Sequence, residues 1–160
     1  MRVLVLLLCL CAAIVPAIAA GDASAAPSLA VSDAWARATV EGQTGSGVFL
    51  HLLSSQDAQL IGASSSAAER VEIHEMRLVN GMMTMRRIER LDLPAGKVVA
   101  LDHDYHVMLI GLKHQLQVGH NVALTLHWLD AAGARHSTDV IAPVRALNTS
   151  VAPSPGSKRD

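Results

Sequence analysis

The 160-residue sequence predicts an all-β domain, a sandwich or barrel of about eight short strands, and three observations carry that prediction. Apolar runs of four to nine residues recur at hairpin spacing, separated by Gly, Pro, Asn and Asp. Asn80-Gly81 sits between two such runs, and both residues tolerate the positive φ of a tight hairpin turn. Helical periodicity is weak throughout. This length suits one domain with a real core.

The first stretch lies outside that domain. Met1-Arg2 is followed by an apolar run from Val3 to Val15 and then by Pro16-Ala17-Ile18-Ala19-Ala20-Gly21. A basic start, an apolar run too short to span a membrane comfortably and a small-residue end read as a secretory signal peptide over 1–20, cleaved near Ala19 or Ala20. Export to a periplasm is the expectation. Both cysteines, Cys9 and Cys11, fall in the apolar run, too early and without the small preceding residues of a lipid-attachment site. The mature chain therefore has no thiol, which excludes a disulfide framework, a thiolate nucleophile and a Cys-ligated blue-copper site. Without Arg2 the chain keeps 12 basic against 14 acidic residues, a balance with no nucleic-acid or anionic-membrane footprint.

Residues 21–29, rich in Ala, Ser, Asp and Pro, read as a flexible leader, and the domain is placed at 30–145. A first strand is expected from Val31 to Thr39 and a second from Gly45 to Leu53. Leu60 to Ala63 is a short third before the serines at 64–66. Val71 to Leu78 and Met82 to Leu91 form the Asn80-Gly81 hairpin. With a two-residue loop, Met76 faces Met85 and His74 faces Arg87, so His74, Met76 and Met85 share one face. Met83 shares that face too, while Met82 points away. Leu93 to Gly96 is a turn, Lys97 to Leu101 a strand, and Asp102-His103-Asp104 another turn. Tyr105 to Leu112 then carries His106 and Met108 on one face. Asn121 to Leu129 and His136 to Val144 are the last strands, and 146–160 is expected to be a disordered tail. Trp35 and Trp128 are expected in the core.

The methionines are not scattered. Of the six, Met1 opens the chain and the other five, Met76, Met82, Met83, Met85 and Met108, fall between positions 74 and 108 together with His74, His103 and His106. Imidazole nitrogen and thioether sulfur are a soft donor set that suits Cu(I) and poorly suits Mg, Ca or Mn. A methionine in a strand is usually a core filler and a lone histidine usually a solvated one, so only the combination points to metal. His51, His114, His120, His127 and His136 lack ligand spacing and are read as structural.

These residues resemble a known family. His74, ten residues, Met85, and then His106-Val107-Met108 match the pattern of the periplasmic copper chaperones called PCuAC. Asp33-Ala34-Trp35-Ala36-Arg37-Ala38-Thr39, the run from Ala68 to Met76 and the run from Tyr105 to Lys113 are similar to that family as well. The likeness covers about Ala30 to Val144. It implies a single-domain, cupredoxin-like Greek-key β-sandwich that carries Cu(I) at its surface through His74, Met85, His106 and Met108, with Met76 and His103 as additional candidates. It further implies a monomeric, non-enzymatic metallochaperone that passes copper toward cytochrome c oxidase subunit II or a Sco-type thiol protein. Two features depart from the pattern. The spacer from Met85 to His106 is twenty residues rather than twenty-one, which puts His103 beside the site, and the tail lacks the His and Met residues of a second copper site. A copper-dependent oxidoreductase and an immunoglobulin-like adhesion module without metal are the alternatives. Against the enzyme, thioethers hold Cu(I) better than they activate water.

Overall fold

The computed structural model describes residues 26–146, and all its regular elements are strands. In chain order they are β1 (Leu29–Arg37), β2 (Gly45–Ser54), β3 (Ala58–Ser64), β4 (Ala68–Val79), β5 (Met82–Ile88), β6 (Leu91–Leu93), β7 (Val98–Leu101), β8 (Tyr105–Leu112), β9 (Asn121–Leu129) and β10 (Arg135–Arg145). The signal peptide at 1–20, the leader up to residue 25 and the tail from 147 lie outside the described residues.

The hydrogen-bonded order is β5-β4-β8-β2-β1-β10-β9-β3-β6, with β7 also on β2. Two faces pack as a sandwich, β5-β4-β8-β2-β1 in one layer and β10-β9-β3-β6 in the other. The layers join where β1 runs parallel to β10, Ala36 opposite Val144 and Arg37 opposite Arg145. Alternation decides what lies between them: β2 sends Val48, Leu50 and Leu52 inward, β8 sends Val107 and Leu109, and β9 sends Val122, Leu124, Leu126 and Trp128. Leucine dominates this core, and methionine is absent from it.

Several boundaries differ from the sequence expectation. Strand β1 begins at Leu29, inside the expected leader, because Leu29 is buried and pairs with Ser54. The expected run Met82 to Leu91 divides into β5 and the three-residue β6, whose Leu91 and Leu93 turn inward against β3. That division adds one strand to the nine runs named from the sequence and gives the observed ten. Trp128 is in the main core, but Trp35 is buried elsewhere: it stacks on Phe49 at 4.5 Å on the outward side of the first layer, with the Arg145 guanidinium above it.

The hairpin follows the expected register. Asn80 and Gly81 take φ of 51° and 78°, and Met76 pairs with Met85, His74 with Arg87 and Leu78 with Met83. On the opposite side of the hairpin, buried Glu75 accepts hydrogen bonds from Arg77 and Arg86, both at 2.8 Å, which ties the two strands together.

Candidate metal centre

Strand β4 lies between β5 and β8, so His74 has an opposed residue on each side: Arg87 on β5 and His106 on β8. Met76 opposes Met85, and Glu72 opposes Met108. Opposed residues share a face, so His74, Met76, Met85, His106 and Met108 all belong to the outward face of the first layer. Each of the other four is an immediate or diagonal neighbour of His74, or next to it along β4. His74 is the hub of the arrangement.

The two imidazoles meet edge to face, with ring centroids 5.8 Å apart. His74 Nε2 lies 2.9 Å from Glu72 Oε2. A carboxylate can only accept, so this contact places the proton on Nε2 and leaves the lone pair on Nδ1. That Nδ1 is buried and has no hydrogen-bond partner. A buried acceptor without a donor costs stability unless something fills it, and a metal ion is what an orphaned imidazole lone pair suits. The hydrogen bond from His74, helped by Arg87, holds the Glu72 carboxyl below the usual carboxylate range.

His106 is buried, and burial first, then His74 and Arg37, pulls its pKa below the ordinary histidine value. It is thus kept neutral and able to donate a lone pair. Phe49, 6.2 Å away between ring centroids, covers one side of it, and the Arg37 guanidinium lies 5.2 Å above the Phe49 ring. A glycine makes room for this covering: a Cβ at Gly47 would lie 3.0 Å from the Phe49 ring, whereas one at Gly45 would meet the Met108 methyl at 3.5 Å, an ordinary contact.

The thioethers differ in setting. Met85 is half exposed on edge strand β5, whereas Met108 is partly buried with its methyl over Gly45. The histidines are thus in contact, and the two methionines flank them from opposite sides. His103, an additional candidate, is an exposed side chain that contacts its own sequence neighbour. Its Nδ1 is 3.1 Å from Asp102 Oδ1, and the same Asp102 lies 3.6 Å from His51, which contacts Asp33 at 3.2 Å. The shorter spacer leaves His106 opposite His74, with the Asp104 carbonyl accepting from the Met76 amide at 2.7 Å. Of the other histidines, His127 bonds Ser64, and His136 bonds Asp130 while stacking on Trp128.

Glu72 and Phe49 are the site residues that sequence reasoning missed. The alternation that grouped His74 with Met76 also puts Glu72 on that face, so a signal for it was present. Phe49 carried none, because its approach to His106 depends on pairing between β2 and β8. Among the described residues, no group of three or more His, Cys, Asp and Glu side chains forms a metal cage. A tight metal site on this face therefore needs the thioethers, and two imidazoles with two thioethers are a neutral, soft set.

The architecture is that of a PCuAC domain. The chain is similar to the copper-bound PCuAC domain from PmoF2, with a TM-score of 0.56 and 22% identity over 74% of this chain and 92% of that one. It is also similar to the solution structure of CuI-DR1885 from Deinococcus radiodurans, with a TM-score of 0.55 and 30% identity over 73% of this chain and 77% of that one. The chain belongs to the LpqE-like family, whose model, described as "Putative lipoprotein LpqE-like", matches residues 29–140. A relative from Leifsonia xyli subsp. xyli, "Putative lipoprotein Lxx21020", is 33% identical over 137 residues, which are 84% of this chain and 80% of the relative.

Proposed function

We propose that this protein is an exported Cu(I) metallochaperone that binds one ion through His74, Met85, His106 and Met108 and releases it to a copper-accepting protein. The observation that carries the reading is the buried, unpartnered Nδ1 of His74, held toward its role by Glu72 and set against neutral His106 with thioethers on both flanks. The likeness to the copper-bound PmoF2 domain and to CuI-DR1885 supports it. Relatives named as lipoproteins support export, and the signal-like run is consistent with a periplasmic location. On the resemblance to PCuAC chaperones, we take cytochrome c oxidase subunit II or a Sco-type thiol protein as the acceptor and a monomer as the carrier.

A neutral donor set compensates the charge of Cu(I) adequately and that of Cu(II) poorly. Half-exposed Met85 is the donor a partner can displace first, which is what a carrier needs. Anaerobic titration against a Cu(I) chelator should show a colourless one-to-one complex. Replacing Met85 and Met108 together by Leu should keep the fold and remove that affinity. His106→Ala should weaken binding strongly and His103→Ala little. Wild-type affinity in the Met85→Leu, Met108→Leu variant would remove the chemical basis of the reading.

A further inference from the structure

The four proposed ligands leave three methionines unused, and their placement is unequal. Met76, Met83 and Met85 share the outward face, because Met76 opposes Met85 and Met83 opposes Leu78. Met82 opposes Val79 and projects to the other side. Directly opposed Cβ atoms lie about 5 Å apart and diagonal ones about 7 Å, within reach of flexible thioether arms. Met83 is 60% exposed and Met85 49%, while the leucine-rich core holds no methionine at all. Methionine is ordinarily a gap-filler of cores, so its exclusion from this core and the gathering of four of the five described methionines on one face require another explanation.

We propose that Met76 and Met83 form an outer thioether station for Cu(I) or another soft monovalent ion, adjoining the inner site through Met85. The inference rests on the chaperone reading and deepens it by giving the ion a path. The ion is first held at the hairpin end by sulfur alone. Met85, a neighbour of both methionines and of His74, then exchanges it inward to the imidazoles. Release runs the same steps in reverse, so a partner need only approach the exposed end of the hairpin. No electron or proton moves in the exchange. Thioether-only coordination selects soft monovalent ions, which keeps Zn and other harder ions from entering by this path.

The test uses the exported protein carrying methyl-labelled methionine, with Ag(I) as a closed-shell stand-in for Cu(I). The first equivalent should shift the methyl signals of Met85 and Met108, and the second those of Met76 and Met83. Met82, more exposed still but on the other face, should stay put, which makes it an internal control. In the Met76→Leu, Met83→Leu variant the second event should be lost and the first retained. Absence of a second event, or a second event that moves Met82 as much as Met83, overturns the outer station alone. A first equivalent that leaves Met85 and Met108 unmoved overturns the chaperone reading and the station with it.

Discussion

At Glu72 a single carboxylate decides which nitrogen of His74 is free. Losing a partner of this kind typically lowers metal affinity by about 10- to 100-fold. Glu72→Ala should therefore weaken Cu(I) binding within that range, while Glu72→Gln, whose amide oxygen still accepts from Nε2, should lose less. Chelator competition on the three proteins checks the order, and equal affinities would show that the contact at 2.9 Å does not orient the ring. A different carboxylate reports on pH. The hydrogen bond from Arg77 first, and that from Arg86 next, lowers the pKa of Glu75. A lowered folded-state pKa means that its stabilisation is complete above the ordinary carboxylate value and fades as pH falls through the lowered one. Acid titration should show the Glu75 carboxyl protonating below a typical glutamate, and Glu75→Gln should remove that part of the pH dependence of unfolding.

The hairpin is the element on which the site depends most. Its register was legible because Asn80-Gly81 names both the turn and its loop length, and the opposed pairs then follow by counting. Inserting one glycine between Asn80 and Gly81 should shift that parity, turn Met85 to the other face and abolish tight Cu(I) binding while the chain still folds. Retained affinity would mean that Met85 is dispensable. Gly81→Val, with a β-branched side chain forced to φ near 78°, should cost about 1–2 kcal/mol in urea unfolding. The end of the hairpin was less legible. Met82 to Leu91 reads as one run, and only the inward turn of Leu91 and Leu93 onto β3 shows that it breaks after Ile88. His103 was a candidate because it is near His106 in sequence, and its contact is with its own neighbour Asp102 in the turn before β8.

For the whole molecule, local alternation made the all-β class and most strands readable, including Tyr105–Leu112 and Asn121–Leu129, but it says nothing about which distant strands adjoin. The contact of His74 with His106 and the cover of Phe49 over it both come from such non-local pairings. Core truncation should act globally: Leu124→Ala should cost about 2–5 kcal/mol in denaturant unfolding, without a selective effect on copper affinity at temperatures where the variant is folded. The parallel seam of β1 with β10 sets a schedule as well as a shape. The first strand pairs along one edge with β2, close by in the chain, but its other edge is completed only when the last strand is present, so a chain crossing a membrane in extended form would stay unfinished until residues near Val144 have emerged. His74 and His106 belong to the middle of that sequence and reach their mutual geometry only as the sheet closes around them. In the exported carrier proposed above, the pocket for the ion would thus be completed only on the far side of the membrane, and a chain still in transit would have no formed site with which to take copper from the compartment it is leaving.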